Sequence, residues 1–419
     1  MLPIFNEYIQ FLNYKTEDKL SFLKEGIYWY DKSIIKAFDK NGDLIKIARL
    51  ITDDNLEITV KFYNKQIPEL ETWNDTIIRY QDELSEIENK SKELITNSIY
   101  KYNDRKVAVL SSGGKDSTVT SFLVKACINN PEIIFNNTSL DCADTYLHIK
   151  KEENLTIINP KEGFYQWRNR LNFIPTRFAR ACCDIFKEGA MVDYIDKDDK
   201  YLFFMGMRNQ ESAKRSEYGD EWKNHKWDNR EWDAILPIRK WTELQIWLYI
   251  LKNNININPK YKKGYSRVGC AISCAYYTKS TWALDEYWYP KMRKRWIDIL
   301  INDFRNNNKD LIMNCTEKEY LTNWNGGIVR PEPTEKVIEE FANRNNLDIE
   351  VAKNYFGHKC AECGKKIKHK DVIGMNMKFN GRNIKQMYCK KHMKNKLGID
   401  NNQWDSYVDT FKSQGCELF

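Results

Sequence analysis

The stretch KVAVLSSGGKDSTVTSFLVKA, Lys106 to Ala126, opens as an apolar run, breaks at Ser111-Ser112-Gly113-Gly114-Lys115-Asp116-Ser117 and resumes with helical spacing. In an open α/β sheet, ligands collect at the carboxyl ends of strands, where helix N-termini present unpaired N–H groups. Two glycines let the backbone come close to a phosphate. Ser112 and Ser117 add hydroxyl donors, Lys115 adds positive charge, and Asp116 is placed to orient a Mg2+ ion or to cap the helix. The junction therefore has the groups to cradle a pyrophosphate. It follows neither the Walker pattern nor the GxGxxG dinucleotide pattern. The same residues would also serve an ordinary glycine-rich turn; the strand before and the helix after favour the phosphate loop.

Working outward, Val107–Leu110, Ile133–Phe135, Leu155–Ile158 and Tyr201–Met205 are short apolar runs separated by helix-like stretches. Near-continuous apolar strands alternating with helices predict a parallel sheet covered on both faces, an α/β core. Before it, apolar runs on either side of Asn41-Gly42 signal a hairpin, and EITVKF at 57–62 alternates like a third strand. Ile77, Ile78, Leu84, Ile87, Leu94, Ile95 and Ile99 place one amphipathic helix over Trp73 to Tyr102. After the core, PTEKVIEEFANRNN and DIEVAKNYF read as short helices. The expected organisation is a β-rich segment over 1–73, the core over 74–285, a helical region over 286–355 and a basic module over 356–419.

The net charge of +7 on 419 residues is unevenly spread. Gly357 to Asp400 holds twelve Lys/Arg against three Asp/Glu, so the basic character sits in one C-terminal segment and hints at a polyanion partner. No apolar run approaches the roughly 18 residues of a membrane span, and the opening MLPIFNEYIQFLNYKTEDKL lacks a basic region followed by an apolar core. A cytoplasmic protein without membrane contact is expected.

Eleven cysteines without an export signal argue for metal or redox chemistry over a disulfide framework. Cys360-x2-Cys363 followed by Cys389-x2-His392 is the spacing of a closed structural Zn2+ site, its two pairs joined by a β-like segment, with His358 and His369 as spare ligands. So small a segment holds little apolar material, and metal binding then supplies much of its folding free energy. Cys182-Cys183 and Cys270-x3-Cys274 form a second set; four thiolates hold zinc or an iron–sulfur cluster, and spacing alone does not choose. Cys127, Cys142 and Cys315 stand alone and read as small buried hydrophobes.

Residues 111–117 resemble the SGGKDS pyrophosphate loop of the N-type ATP pyrophosphatases, the PP-loop enzymes. GMRNQESAKRS at 206–216 resembles the G-x-R-x-x-E-S-x-x-R element of the phosphoadenosine-phosphosulfate (PAPS) reductase superfamily. LPIRKWTELQIWLYILKNNININPKYKKGYSRVGC at 236–270 resembles that family's Trp-Thr and Asn-Pro-x-Tyr segment leading to a cysteine. The resemblance covers 104–280. It implies an adenine-nucleotide α-hydrolase-like fold and an adenine nucleotide, either ATP or a sulfonucleotide, with its phosphates on the loop. In ATP-using members an acceptor attacks the α-phosphorus and releases pyrophosphate, so catalysis needs placed cations and N–H donors. Arg208 and Arg215 suit that task because a guanidinium fork matches phosphate oxygens. The cysteine set resembles the one holding a 4Fe–4S cluster in adenylylsulfate (APS) reductases, and is similar to that of Dnd-type DNA phosphorothioation ATPases. The second pair here is C-x3-C instead of C-x2-C.

Two functions follow. One is an ATP pyrophosphatase that activates a nucleic acid, DNA or tRNA, for sulfur insertion or a related modification, with the basic module holding the polyanion and a sulfur-donor protein as partner. The other is an APS or PAPS reductase. Such reductases use a tail cysteine in a Glu-Cys-Gly-Leu-His context, whereas this chain reads SQGCELF around Cys416.

Overall fold

In the computed structural model, the described residues are all except 64–65, 172–173, 177–180, 212–214, 216, 224–226, 228–229, 273–276, 307–315, 326–334, 345–348, 350–359, 366, 368–369, 381–385 and 414–419. The chain divides into two compact units. The first combines Met1–Pro160, Ala190–Ser273 and Thr278–Arg293; the second combines Lys161–Gly189, Cys274–Tyr277 and Lys294–Phe419.

The first unit opens with an antiparallel sheet of β1 (Leu2–Pro3), β2 (Trp29–Asp31), β3 (Ile34–Phe38), β4 (Leu44–Thr52) and β5 (Ile58–Phe62), paired in chain order. The expected hairpin is β3–β4, with Gly42 at φ +85° in its turn. The sequence reading missed helix α1 (Asn6–Thr16), whose Tyr8, Ile9, Phe11 and Leu12 form a buried stripe at helical spacing. The long helix expected over Trp73 to Tyr102 is broken at Tyr80 into α2 (Trp73–Arg79) and α3 (Gln81–Lys101). Arg79 anchors the break: it pairs with Glu71 at 2.8 Å and lies over the rings of Phe38 and Tyr80.

The second sheet of this unit is the α/β core. Its strands are β6 (Lys106–Ser111), β7 (Glu132–Asn136), β8 (Leu155–Ile158), β9 (Tyr201–Met205), β10 (Glu221–Trp222) and β11 (Trp232–Ile235), in the order β10-β11-β9-β6-β7-β8. All neighbours run parallel except β10, an antiparallel edge that, like β11, the sequence reading had not placed. Alternation sorts the side chains to two faces. Val109, Ile133, Leu202, Phe204 and Ile235 pack with α3, α4 (Lys115–Lys125) and the helix Glu243–Lys252; Ala108, Ile134, Phe203, Trp232 and Ala234 pack with Ala190, Met191 and Ile195. Both faces are covered, as near-continuous apolar strands require. The chain runs outward from central β6 to β8, then returns to β9 on the other side of β6. The loop after β6 therefore opens at the point where strand order reverses, the usual ligand site of an open α/β sheet.

The second unit is helical. It includes Phe164–Leu171, the Glu335–Arg344 helix expected from PTEKVIEEFANRNN, and a C-terminal module with helices Lys370–Asn380, Lys390–Leu397 and Asn401–Ser413. DIEVAKNYF lies almost wholly outside the described residues. The segment joining the two cysteine-containing pairs includes a helix, correcting the β-like expectation. Val372, Ile373, Met375 and Met377 reach the module's core from it, and the fully buried Asn376 donates to the carbonyls of Val372 and Tyr388 while accepting the Tyr388 amide. An asparagine so satisfied fixes the helix to the chain just before Cys389. Among the described residues no helix is long and apolar enough to cross a membrane.

Candidate nucleotide site and metal centre

The loop is shaped by its glycines. Gly113 has φ +68°, and a Cβ there would lie 3.1 Å from the Thr145 methyl; Gly114 caps α4 without a side chain. At the end of β9, a Cβ on Gly206 would lie 2.5 Å from the Asp116 carbonyl carbon and 2.6 Å from the Ser117 nitrogen. Only glycine lets that strand come against the first turn of α4.

Several loop donors are satisfied within the chain. Ser112 N–H donates to Ser117 Oγ (3.2 Å), Gly113 N–H to Ser111 Oγ (3.3 Å) and Lys115 N–H to the Tyr261 hydroxyl (2.9 Å). The first-turn amides of Asp116 and Ser117 have no acceptor among the described residues. A phosphate would meet these two directly and exchange with serine or tyrosine oxygens at the others.

Four charges surround the first turn. Lys115 Nζ lies 2.8 Å from Asp116 Oδ2 and 3.3 Å from Glu243 Oε1. Arg208 Nε lies 2.5 Å from Asp116 Oδ1, and its Nη2 also donates to Glu243 Oε2. Lys115 and Arg208 are only 5% and 3% exposed. Burial opposes every one of these charges. The Tyr261 hydroxyl, Asp116 and Glu243 nevertheless hold the Lys115 pKa above its ordinary value, while Lys115 and Arg208 hold Asp116 and Glu243 below theirs. All four are ionised at neutral pH, and their charges cancel.

The structure thus brings Lys115, Asp116 and Arg208 together. Arg215 stands one step away: it pairs with Glu211, which also accepts the Arg208 amide at 3.2 Å. Sequence reasoning missed Glu243 and Tyr261. Glu243 begins a helix announced by the Thr242/Gln245 capping box, and Tyr261 is the tyrosine of the quoted Asn-Pro-x-Tyr element; neither signal discloses its partner.

Of the other cysteine set, Cys182 is buried and Cys183 half-buried in a helical turn of the second unit. Cys270 belongs to the first unit, where it bridges to Asp141 while Ala271 N–H donates to the Leu140 carbonyl. Cys274 lies outside the described residues, as do Cys315, Cys416, His358 and His369. Cys142 is buried as expected, whereas Cys127 is only half-buried.

In the C-terminal module, Cys360, Cys363, Cys389 and His392 place one ligand atom each within 4.8 Å of one another. Cys360 Sγ is 3.1 Å from His392 Nδ1, and Cys363 Sγ is 3.9 Å from Cys389 Sγ. Gly364, at φ +66°, returns its amide to the Cys360 carbonyl and closes the knuckle. Burial pushes the Cys360 thiol up, but the Cys389 amide and His392 outweigh it and bring it down to about 6, so a thiolate faces the site. His392 turns Nδ1 inward, and its Nε2 lies 3.6 Å from Glu362. Three sulfurs and one imidazole nitrogen at this spacing fit a tetrahedral Zn2+.

Residues 106–275 match the phosphoadenosine phosphosulfate reductase domain family. The matched residues take in the loop, Gly206, Arg208, Glu243, Tyr261 and Cys270. An uncharacterised protein of Methanocaldococcus jannaschii is 28% identical over 268 residues, 62% of this chain and 61% of that protein. A second from the same organism is also 28% identical, over 64% of this chain and 55% of its own length. The chain thus spans less than two thirds of these relatives. Adenosine 5'-phosphosulfate reductase of Bacillus cereus is 22% identical over 48% of this chain and 85% of that enzyme. Among solved structures, PAPS reductase of Candida auris aligns over 46% of this chain and 96% of its own, at 16% identity and a TM-score of 0.35.

Proposed function

We propose that the protein is a PP-loop ATP pyrophosphatase that adenylylates a nucleic acid, DNA or tRNA, for sulfur insertion or a related modification. The carrying observation is the buried quartet of Lys115, Arg208, Asp116 and Glu243 around a glycine-shaped loop at the switch point of the sheet. Its net charge of zero leaves no surplus cation for a polyphosphate. Asp116 and Glu243 would hold a Mg2+ ion brought with ATP, which would supply the missing positive charge beside the phosphate oxygens. Lys115 and Arg208 then turn from carboxylate to phosphate. The acceptor oxygen bonds to the α-phosphorus, the bond to the bridging oxygen of the β-phosphate breaks, and pyrophosphate leaves. Lys115, Arg208 and the first-turn amides hold the charge that develops on its oxygens. Arg215 steadies Arg208 through Glu211.

On this reading Cys182, Cys183, Cys270 and Cys274 hold a 4Fe–4S cluster that is structural or carries sulfur from a donor protein. Cys360, Cys363, Cys389 and His392 hold Zn2+ in the basic module that binds the polyanion. The division into 1–73, 74–285, 286–355 and 356–419 is proposed with it, as is a cytoplasmic location.

A match to 85% of the length of an APS reductase favours a second reading, a sulfonucleotide reductase releasing sulfite. One experiment separates the two. Anaerobic enzyme is incubated with ATP and DNA or tRNA, and in parallel with APS or PAPS and a thiol reductant. Pyrophosphate release stimulated by nucleic acid supports the first reading; sulfite without pyrophosphate replaces it with the second.

A further inference from the structure

We propose that Phe379 and Tyr407 form a base-stacking platform for single-stranded nucleic acid on the C-terminal module. The inference rests on the reading that this module holds a polyanion and adds which form of it is preferred. The module's core is already filled from the same helices by Ile373, Met375, Trp404 and Val408. Phe379 and Tyr407 are left outside it, each 41% exposed, with ring centroids 5.6 Å apart. Behind them Phe411 stacks on Tyr407 at 6.1 Å and 18° between planes, so the rings are braced. Braced rings lose little freedom when a base stacks on them.

Charge chooses the occupant. Lys378 Nζ lies 4.7 Å from the Phe411 ring centre, at the edge of the aromatic cluster. The carboxylates on these two helices are mostly neutralised or turned away. Asp371 pairs with Lys412 at 3.1 Å, and Asp405 pairs with Lys390 at 3.2 Å. Asp409 lies roughly 160–200° around its helix from Tyr407 and Phe411. By sequence, the 357–400 segment of the same module carries twelve Lys/Arg and three Asp/Glu. Exposed aromatic faces beside Lys378, on a basic module, suit an unpaired strand, whose bases offer π-faces and whose phosphates meet the cations; a duplex keeps its bases stacked on each other.

The test uses the full, zinc-loaded chain and a fluorescein-labelled oligonucleotide of about 15 nucleotides, single-stranded or annealed to its complement. Anisotropy is titrated across salt concentrations. The double variant F379A/Y407A is expected to weaken single-strand binding about 10- to 100-fold, leaving duplex affinity and the salt slope near wild type. Lys378→Gln should instead flatten the slope. Tyr407→Phe, which keeps a ring, should bind as wild type, and an unchanged zinc content shows that the variants fold. Wild-type binding that is indifferent to the double substitution overturns the platform and leaves the polyanion reading standing. Equal losses on single strand and duplex overturn it too, as does a duplex preference. Failure of the wild type to bind either form removes the polyanion reading itself.

Discussion

The nucleotide loop and the cysteine–histidine knuckle both hold polar atoms at fixed distances, but with opposite amounts of apolar support. The loop hangs from β6, whose Ala108 and Val109 are fully buried on opposite faces of a sheet covered on both sides. Its four charges could not be buried together without that frame, because each loses hydration that only its neighbours restore. The knuckle has a small core in which methionine recurs, Met375, Met377, Met387 and Met393 among them, and methionine fills space without fixing it. There the ligand atoms stand close enough for a metal to supply the missing rigidity. The difference teaches that the loop's geometry is carried by the sheet that frames it, whereas the knuckle's would rest on a metal held by its four ligand atoms.

The strongest way to break that comparison is to strip the metal. Chelation, or Cys363→Ser, should unfold the module as a unit, since zinc binding in such sites contributes on the order of 10–16 kcal/mol. Hydrogen exchange should then show Lys370–Asn380 and Lys390–Leu397 unprotected, with β6 and β9 unaffected; continued protection of those helices would show that the core suffices. Next in size, Lys115→Ala should lower pyrophosphate release by about 100- to 1,000-fold while the circular-dichroism spectrum stays native. A melted domain would mean that the quartet, and not the apolar faces, supports the loop.

A third prediction sharpens the account of the first unit. Burial pushes the Asp285 carboxyl up to about 6, against the pull of Lys260 and the Tyr265 hydrogen bond. Since its pKa is higher folded than unfolded, the native state keeps a proton that the unfolded chain has lost. Stability should fall as pH rises from about 4 to about 6, by about 3 kcal/mol, and level off above. Asp285→Asn should flatten that window in urea midpoints; an unchanged profile would assign the titration elsewhere. The smallest effect concerns Glu243, which competes with phosphate for Lys115 and Arg208. Glu243→Gln should tighten nucleotide binding about fivefold, on the order of 1 kcal/mol, and raise the Mg2+ concentration needed for turnover. Weaker binding at unchanged Mg2+ demand would make Glu243 a support for the cations instead of a rival.

Much of this was legible in the chain. Leu155–Ile158 and Tyr201–Met205 are strands at the bounds read from their apolar runs, and the loop lies where strand gives way to helix. Ligand spacing alone marked the cysteine–histidine knuckle, because close pairs of ligands are a local property. Helix α1 was not read, because its stripe is short and begins after Phe5 with no side-chain cap to announce it. The helix inside the knuckle was not read either, since its fixing contact is a buried asparagine bonding a residue twelve positions away.

The sequence by itself determined the alternating strands and helices, the loop chemistry and the closely spaced cysteine and histidine pairs, all set by neighbours within a few residues. Only the tertiary structure decided that Glu243 and Arg208 meet Lys115 and Asp116, that Tyr261 takes the first amide of α4, and that Gly206 must be bare. Those facts depend on which strands lie side by side, and pairing across a hundred residues is chosen by the packing of whole faces, which no local pattern encodes.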